Sequence, residues 1–153
     1  MDEYKEIRKD VEIYTDGACS GNPGKGGWGA VLLCNGYEKK ISGFEYNTTN
    51  NKMELTAVLR GLQALKFPCN VKVYSDSAYV VNSVSLGWLD SWTVNGRLAR
   101  GEVANADLWR EYLNLREIHN ITFIKVKGHA GNKYNEMCDS LAKRAIKGVI
   151  INE

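Results

Sequence analysis

The sequence has little of several features that mark particular classes of protein. Only two of its 153 residues are proline, and no low-complexity run interrupts the chain. No apolar stretch approaches the length of a transmembrane helix, and residues 1–10 are charged and unlike a signal peptide. These absences indicate one globular domain over residues 1–153, with no membrane partner and a cytoplasmic location.

Cysteine and histidine are also sparse, and the charges are balanced. The four cysteines lie far apart with no CxxC pair, and neither of the two histidines stands at zinc-ligand spacing from them. We therefore expect reduced thiols and no zinc site. The formal net charge of +2 is too small to indicate nucleic-acid binding by itself.

Alternation and turn signals predict an antiparallel meander at the start of the chain. β-Branched residues alternate over 11–15 and predict a strand that ends at Asp16, where a glycine-rich segment begins. Residues 28–34 and 37–46 predict two further strands, joined by the hairpin signal Asn35-Gly36.

The rest of the chain mixes helical and strand patterns. The predicted elements are a helix over 52–65, a strand over 71–75, a short helix over 78–84, a helix over 106–117, a strand over 121–126 and a helix over 134–147. A strand that follows a helix after a hairpin is most naturally a parallel neighbour of the first strand. The sequence therefore predicts an α/β fold with five strands.

Two aspartates, Asp16 and Asp76, follow strands that are predicted to be parallel neighbours. Ligands bind at the carboxyl ends of such strands, and two acids placed there repel each other unless a cation lies between them. Each acid also has a purely structural interpretation. Asp16 can hydrogen-bond its own backbone in an Asp-Gly turn, and Asp76 can cap the helix that follows it.

Two further acids share otherwise apolar helix faces. Glu54 lies on the stripe that contains Val58 and Leu62, and Asp139 shares a face with Ala142. A carboxylate on a packed face is costly unless something pairs with it, although Glu54 also has a favourable position near a helix N-terminus. Such oxygen ligands, without cysteine or clustered histidine, favour magnesium or manganese over zinc.

Histidine and tryptophan supply the remaining candidates. His129 lies in a loop flanked by glycines, where it is either a solvated side chain or, beside four acids, a proton carrier. Trp88 and Trp92 stand four residues apart on one helical face. Both anchoring in the core and stacking on nucleic acid from an irregular protruding segment are open interpretations of this pair.

These residues belong to five short motifs that resemble, in order, those of the type 1 ribonuclease H family. The motifs are Tyr14-Thr15-Asp16-Gly17, Gly21-Asn22-Pro23-Gly24, Thr48-Thr49-Asn50-Asn51 with Met53-Glu54-Leu55, Ser75-Asp76-Ser77, and Val126-Lys127-Gly128-His129-Ala130-Gly131 with Asn135-Glu136 and Cys138-Asp139. The resemblance runs from about residue 11 to residue 147. It implies a five-stranded mixed sheet, three antiparallel strands and then two parallel ones, with helices on both faces.

The resemblance also implies an activity, namely endonucleolytic cleavage of the RNA strand of RNA/DNA hybrids. The four acids Asp16, Glu54, Asp76 and Asp139 would hold two Mg²⁺ ions, with Mn²⁺ as a substitute. One ion would activate a water and the other would stabilise the leaving 3′ oxygen, which leaves 5′-phosphate and 3′-hydroxyl ends. His129 would assist proton transfer and product departure, and the enzyme would act as a monomer.

Residues for substrate binding are implied in three groups. The first group matches family positions that read the RNA 2′-hydroxyl, the second those that grip a DNA phosphate, and the third an aromatic channel under the DNA strand. The groups are Asn22, Asn50 and Asn51 with the backbone around Cys19; Thr49 and Asn105; and Tyr79, Trp88 and Trp92. Because most of these contacts ignore base identity, cleavage should be nearly sequence-independent.

The chain departs from the family pattern mainly between residues 82 and 105. Many members carry a strongly basic protrusion there, whereas this segment has two arginines against two acids, and Arg97 stands where a third tryptophan is frequent. Asn47 and Ala78 replace a frequent arginine and glutamine, and residues 1–10 are too short to form a hybrid-binding module. We therefore expect weaker hybrid binding with a shallower salt dependence.

Three other interpretations remain at this point. A junction resolvase or strand-transferring integrase also uses clustered acids, although the motifs around Glu54 and His129 argue against both. A non-catalytic nucleic-acid-binding module would not need all four acids. An unrelated α/β domain would require that four acids are merely helix caps or turn residues.

Overall fold

The computed structural model of the chain describes residues 8–127 and 131–153. Within these residues the chain forms five strands and five helices. The strands are β1 (Lys9–Gly21), β2 (Gly24–Cys34), β3 (Tyr37–Thr48), β4 (Cys69–Ser75) and β5 (Asn120–Lys125). The helices are α1 (Asn50–Gln63), α2 (Ala78–Ser85), α3 (Trp88–Val94), α4 (Ala106–Ile118) and α5 (Lys133–Ile146).

The strands form one mixed sheet in the order β3-β2-β1-β4-β5. The pairs β1–β2 and β2–β3 are antiparallel, whereas β1–β4 and β4–β5 are parallel. Gly61 of α1 packs against Ile13 on one face, and Leu141 of α5 packs against Gly29 on the other. The predicted sheet, with three antiparallel strands followed by two parallel ones and helices on both faces, is confirmed.

The core has two parts, one on each face of the sheet. The larger part lies on the α1 face and includes fully buried Ile13, Leu59 and Trp109. The smaller part lies under α5 and contains Val31 and Leu141 with their neighbours. Burial of each such side chain contributes about 1.5–3 kcal/mol, so both faces hold the sheet and its helices in fixed positions.

The first strand is longer than the sequence predicts. We expected the strand to end at Asp16, but β1 continues to Gly21 and pairs with β2 along the whole glycine-rich segment. The glycines are needed because helices approach the sheet closely there. A Cβ at Gly17 would lie 2.5 Å from the carbonyl carbon of Met53, and one at Gly29 would lie 2.6 Å from Cβ of Leu141.

The segment between α2 and α4 is also more regular than expected. The sequence predicts an irregular protrusion, but Trp88 and Trp92 lie on α3, which follows Gly87 in the left-handed region (φ 80°). In the handle, as we call residues 86–105, Arg100 Nε lies 2.8 Å from Glu102 Oε2, and Asp90 pairs with Arg116 of α4. Three of the four charged side chains of the handle are therefore in ion pairs, and the ion pairs among the described residues do not include the fourth, Arg97.

The outer edge of β3 is partly covered by the last residues of the chain. Ser42 N donates to the carbonyl of Ile151 at 2.8 Å, and Glu153 N donates to the carbonyl of Lys40 at 3.0 Å. These bonds continue the sheet by a few residues beyond its outermost strand. Among the described residues, no helix combines the length and apolar character that crossing a membrane requires.

Candidate active site

Asp16 and Asp76 meet where the parallel ladder between β1 and β4 ends. The last residues paired across the two strands are Tyr14 and Tyr74, and each aspartate stands two positions further along. Tyr14 and Tyr74 stack at 4.4 Å between ring centroids, which holds the two strands together two residues before the acids. The predicted juxtaposition of the two aspartates is thus present, although Asp16 lies within a strand and not at its end.

Glu54 joins the two aspartates from α1. Thr49 caps this helix, with Oγ1 accepting from Lys52 N at 3.2 Å, and thereby fixes its start next to β1. Glu54 is 5% exposed and Asp16 is 8% exposed. One carboxylate oxygen from each of Asp16, Glu54 and Asp76 lies within 4.8 Å of the others. We call these three residues the carboxylate cluster.

The backbone of β1 organises this cluster. The N–H of Gly17 donates to Asp16 Oδ1 at 2.9 Å and also to Glu54 Oε1. These bonds require α1 to approach β1 so closely that residue 17 has no room for a side chain. Gly17 resembles a turn residue in the sequence, but in the fold its N–H orients the carboxyl groups of Asp16 and Glu54.

Burial and mutual repulsion make the cluster reluctant to ionise. Burial, followed by the charge of Asp76, raises the pKa of Asp16 to about 7. Burial, followed by the charge of Asp16, raises the pKa of Glu54 well above its ordinary value. A divalent cation would relieve both effects because it replaces lost hydration and offsets like charges.

Asp139 lies near the cluster without being part of it. Its Oδ2 accepts a hydrogen bond from Lys143 Nζ at 2.9 Å, one turn further along α5. Its charge still contributes to the raised pKa of Asp16, so the two carboxylates are neighbours. The hydrogen bond to Asp139 raises the pKa of Lys143. We did not predict this lysine partner, although the spacing of four residues on a helix could have indicated it.

The tip of the β1–β2 hairpin is tied to the start of α1. Asn22 Oδ1 accepts from Asn50 N at 3.1 Å, and Cys19 Sγ lies 3.3 Å from the carbonyl oxygen of Thr48. The side chains of Asn50 and Asn51 are exposed in the first turn of α1. The fold therefore gathers the residues that are predicted to read the RNA strand next to the start of α1. Thr49, which is predicted to hold a DNA phosphate, lies in the same place.

The aromatic candidates divide into exposed and anchored side chains. Trp88 is 44% exposed, whereas Trp92 is half-buried and packs edge-on against Trp109 at 6.3 Å. The hydroxyl of Tyr79 accepts hydrogen bonds from Asn105 Nδ2 at 3.0 Å and Trp109 Nε1 at 2.9 Å. Trp92 thus serves as an anchor of the handle, and Trp88 remains available to a ligand.

His129 lies outside the described residues. The helix that follows it starts at a well-formed cap, since Asn132 Oδ1 accepts from Tyr134 N and Asn135 N, both at 3.0 Å. The role predicted for His129 therefore remains a prediction from the sequence.

The raised pKa values predict how stability depends on pH in the absence of metal. Unfolded carboxyl groups ionise near pH 4, whereas the pKa of Asp16 is about 7 in the folded chain. Between these values the folded state binds more protons, so the free energy of unfolding contributed by this group falls as pH rises and levels off above pH 7. We expect a loss of roughly 2–4 kcal/mol, measured by urea unfolding with chelator between pH 5 and pH 8.

Asp16→Asn provides the control for this measurement. His119, whose pKa burial lowers, contributes in the opposite direction below its ordinary pKa, and both proteins share that contribution. The difference in stability between wild type and variant should therefore report Asp16 together with the part of the raised Glu54 pKa that the Asp16 charge causes. A difference that is the same at pH 5 and pH 8 would contradict the assignment of the raised pKa.

The fold and the site together define a class. Three carboxylates, two of them almost fully buried, converge at the carboxyl ends of parallel strands in an α/β sheet and could hold a divalent metal ion. Sites of this kind belong to metal-dependent enzymes that act on phosphate esters.

Comparison with known proteins identifies the family. The RNase H family model matches residues 8–147. Over 139 residues the chain is 60% identical to the ribonuclease H of Thermoanaerobacter sp. (strain X514), covering 90% of each chain. It is 55% identical over 143 residues to that of Prosthecochloris aestuarii (strain DSM 271 / SK 413), covering 92% of this chain and 98% of the relative.

A solved structure gives the same result. LC9-RNase H1, described as a type 1 RNase H with the type 2 active-site motif, superimposes with a TM-score of 0.81 at 25% identity, covering 97% of this chain and 80% of the other. The chain belongs to the ribonuclease H family, whose enzymes cleave the RNA of RNA/DNA hybrids. Membership of this family disfavours the resolvase, integrase and unrelated-domain interpretations.

Proposed function

We propose that this chain is an endonuclease that hydrolyses the RNA strand of RNA/DNA hybrids by two-metal-ion catalysis, leaving 5′-phosphate and 3′-hydroxyl ends. The observation that carries the proposal is the carboxylate cluster, with its oxygens within 4.8 Å, in a chain of the ribonuclease H family. Asp139 completes the proposed set of four metal ligands.

The chemistry of the cluster supports a hard divalent cation. Its three described members offer only carboxylate oxygens, which Mg²⁺ and Mn²⁺ prefer and which zinc sites seldom use alone. The pKa values of Asp16 and Glu54 are raised because the carboxyl groups are buried and repel each other. A bound cation would offset both effects, so the raised values support a cation site. When bound, the two ions would supply Lewis-acid activation of a water and stabilisation of the leaving 3′ oxygen.

The protein's own groups prepare the site. The Gly17 N–H donates to one oxygen of Asp16 and one of Glu54 and so orients both carboxyl groups in the proposed site. The stacked rings of Tyr14 and Tyr74 join the two strands that carry Asp16 and Asp76. Lys143 bonds one oxygen of Asp139, Oδ2, and the other oxygen would serve as the ligand.

Binding of the hybrid would use both sides of the cluster. Asn22, Asn50 and Asn51, with the backbone at Cys19, present polar groups suited to the RNA 2′-hydroxyl. Thr49 and Asn105 would hold a DNA phosphate, while Tyr79, Trp88 and Trp92 would line the path of the DNA strand; these roles follow from the family motifs.

The role of His129, the oligomeric state and the location of the protein follow from the sequence and the family motifs. His129 would assist proton transfer and product departure. One chain carries every proposed catalytic group, so we propose a monomer. The four free cysteines suit a reducing compartment, and we propose the cytoplasm.

Cleavage of four end-labelled duplexes of one sequence tests the function. The duplexes are RNA/DNA, RNA/RNA, DNA/DNA and DNA with a single ribonucleotide, each incubated with Mg²⁺ and with chelator. We expect cuts only in the RNA of the RNA/DNA hybrid and only with Mg²⁺, with end groups verified by phosphatase and ligase treatment. Cutting at the lone ribonucleotide would contradict the type 1 specificity, and cutting in chelator would contradict the metal mechanism.

Trp88→Ala should weaken hybrid binding without changing the products. Trp88 is exposed on α3, and loss of one aromatic stacking surface commonly costs 1–3 kcal/mol, so we expect KM to rise about tenfold at constant kcat. Val94→Ala, on the same helix and 88% exposed, is the matched control and should retain the wild-type KM. An unchanged KM for Trp88→Ala would assign Trp88 to packing alone.

A further inference from the structure

A cluster of one cation and two aromatic rings lies at the outer edge of the sheet, outside all the residues discussed so far. Lys25 Nζ is 4.8 Å from the ring centroid of Phe44 and 5.3 Å from that of Tyr46. The two rings meet edge-on at 5.3 Å, and Tyr46 is 72% exposed. We call these three residues the Lys25 patch.

The charge of Lys25 is free to meet a ligand. The ion pairs formed within residues 8–127 and 131–153 do not include Lys25. Its neighbours Phe44 and Tyr46 hold the ammonium group by cation–π attraction, which leaves its charge uncompensated. A cation beside an exposed aromatic ring is the combination with which proteins hold the phosphate and base of a nucleic-acid strand.

Strand register places the Lys25 patch on the same face of the sheet as Asp16. Asp16 pairs with Gly29, and Ser20 pairs with Lys25. Side chains alternate along a strand, so Lys25 shares the face of Gly29, against which α5 packs. Four residues of β1 separate the two positions, which is roughly 14 Å. On a strand with one phosphate per about 3.4 Å of duplex axis, this distance is roughly four nucleotides.

The location also distinguishes the two strands of a hybrid. The proposed contacts to DNA come from α1, α2, α3 and the start of α4, and these helices share the core on the opposite face of the sheet. The carboxylate cluster combines Glu54 of α1 with Asp16, whose strand position shares the face of Lys25, so the cluster adjoins both faces of the sheet. A hybrid that places its DNA strand on the helices and its scissile RNA phosphate at the cluster extends its RNA strand towards Lys25.

We propose that Lys25, Phe44 and Tyr46 form an additional binding site for the RNA strand, a few nucleotides from the cut. Lys25 contacts a phosphate, and Tyr46, supported by Phe44, stacks on an exposed sugar or base. This inference rests on the proposed function. It would supply a phosphate contact outside the handle, whose formal charge is zero and whose Arg100 is engaged by Glu102.

The double variant Lys25→Ala/Tyr46→Ala tests the site. We expect KM for the hybrid to rise about tenfold with unchanged kcat, because stacking and phosphate contacts act on binding. The single variant Lys25→Ala should lower the slope of log KM against log salt by about one, as expected for one lost phosphate contact. Tyr37→Ala/Lys39→Ala is the matched control: both residues are exposed on β3 at its opposite end, and wild-type kinetics are expected.

Shortened substrates identify the strand that is bound. A run of four ribonucleotides in an otherwise DNA strand fixes the cut, and either strand is then truncated from each end in turn. Removing nucleotides from one end of the ribonucleotide-containing strand should abolish the difference between wild type and double variant. An effect abolished only by shortening the all-DNA strand, or a double variant with wild-type KM and salt slope, would overturn the inference. Failure of the wild type to cut any hybrid would instead contradict the proposed function.

Discussion

Asp16→Asn should abolish cleavage of the hybrid, by more than about a thousandfold, and leave hybrid binding within about twofold. Asp16 is central among the proposed metal ligands. One of its carboxylate oxygens lies within 4.8 Å of oxygens of Glu54 and Asp76, and the charge of Asp139 contributes to its raised pKa. The amide keeps the shape and the hydrogen bond from Gly17 but removes the charge that holds a cation. The phosphate and sugar contacts lie on other residues and should survive.

Single-turnover cleavage and binding of a fluorescent hybrid would measure these two quantities. Asp10→Asn, an exposed aspartate earlier in the same strand, is the matched control and should cut normally. Cleavage by Asp16→Asn within tenfold of wild type would exclude Asp16 as a metal ligand. Loss of hybrid binding with cleavage would indicate that Asp16 contributes mainly to substrate affinity.

Gly17→Ala should damage the site through a single methyl group. Its Cβ would lie 2.9 Å from Cα of Glu54 and 2.5 Å from the carbonyl carbon of Met53, so α1 must move away from β1. We expect a loss of about 3 kcal/mol in the free energy of unfolding and at least about a tenfold loss of Mn²⁺ affinity. The metal affinity falls because Glu54 moves with the helix and loses the N–H that orients it.

Urea unfolding and calorimetric titration with Mn²⁺ would measure both effects. Gly36→Ala serves as the comparison, because Gly36 has a φ of 83° and open space around it at the far end of the β2–β3 hairpin. That variant should lose about 1 kcal/mol through backbone strain and keep its metal affinity. If Gly17→Ala behaved like Gly36→Ala, the close approach of α1 would have no role in assembling the cluster.

Much of the architecture was predictable because local signals agree with one another. Alternation marks residues 71–75, and the Asn35-Gly36 turn fixes the hairpin between β2 and β3. The order of elements along the chain predicted that β1 and β4 pair in parallel. This pairing alone was enough to predict that Asp16 lies beside Asp76. The predicted proximity of these two aspartates, and the position of Glu54 on a buried helix face, are confirmed by the structure.

Other features depend on distances that sequence does not encode. The glycine-rich segment resembles a loop because glycine is a poor strand former, and only the packing of α1 and α5 explains its place within β1 and β2. The partnership of Lys25 with Tyr46 depends on the register of β2 against β3, which includes an irregularity near Gly24. By contrast, the pairing of Lys143 with Asp139 is local to α5, and the spacing of four residues could have indicated it.

The residues that continue the sheet beyond β3 have a consequence for how the molecule behaves in a crowded solution. An uncovered outermost strand offers unpaired N–H and C=O groups to any extended chain, including another copy of itself. By bonding to Lys40 and Ser42, the segment 151–153 occupies part of this edge, and the Lys52–Glu45 ion pair places charge further along it. Because a covered and charged edge is a poor template for a further strand, we expect these residues to hinder edge-to-edge pairing between copies of the chain.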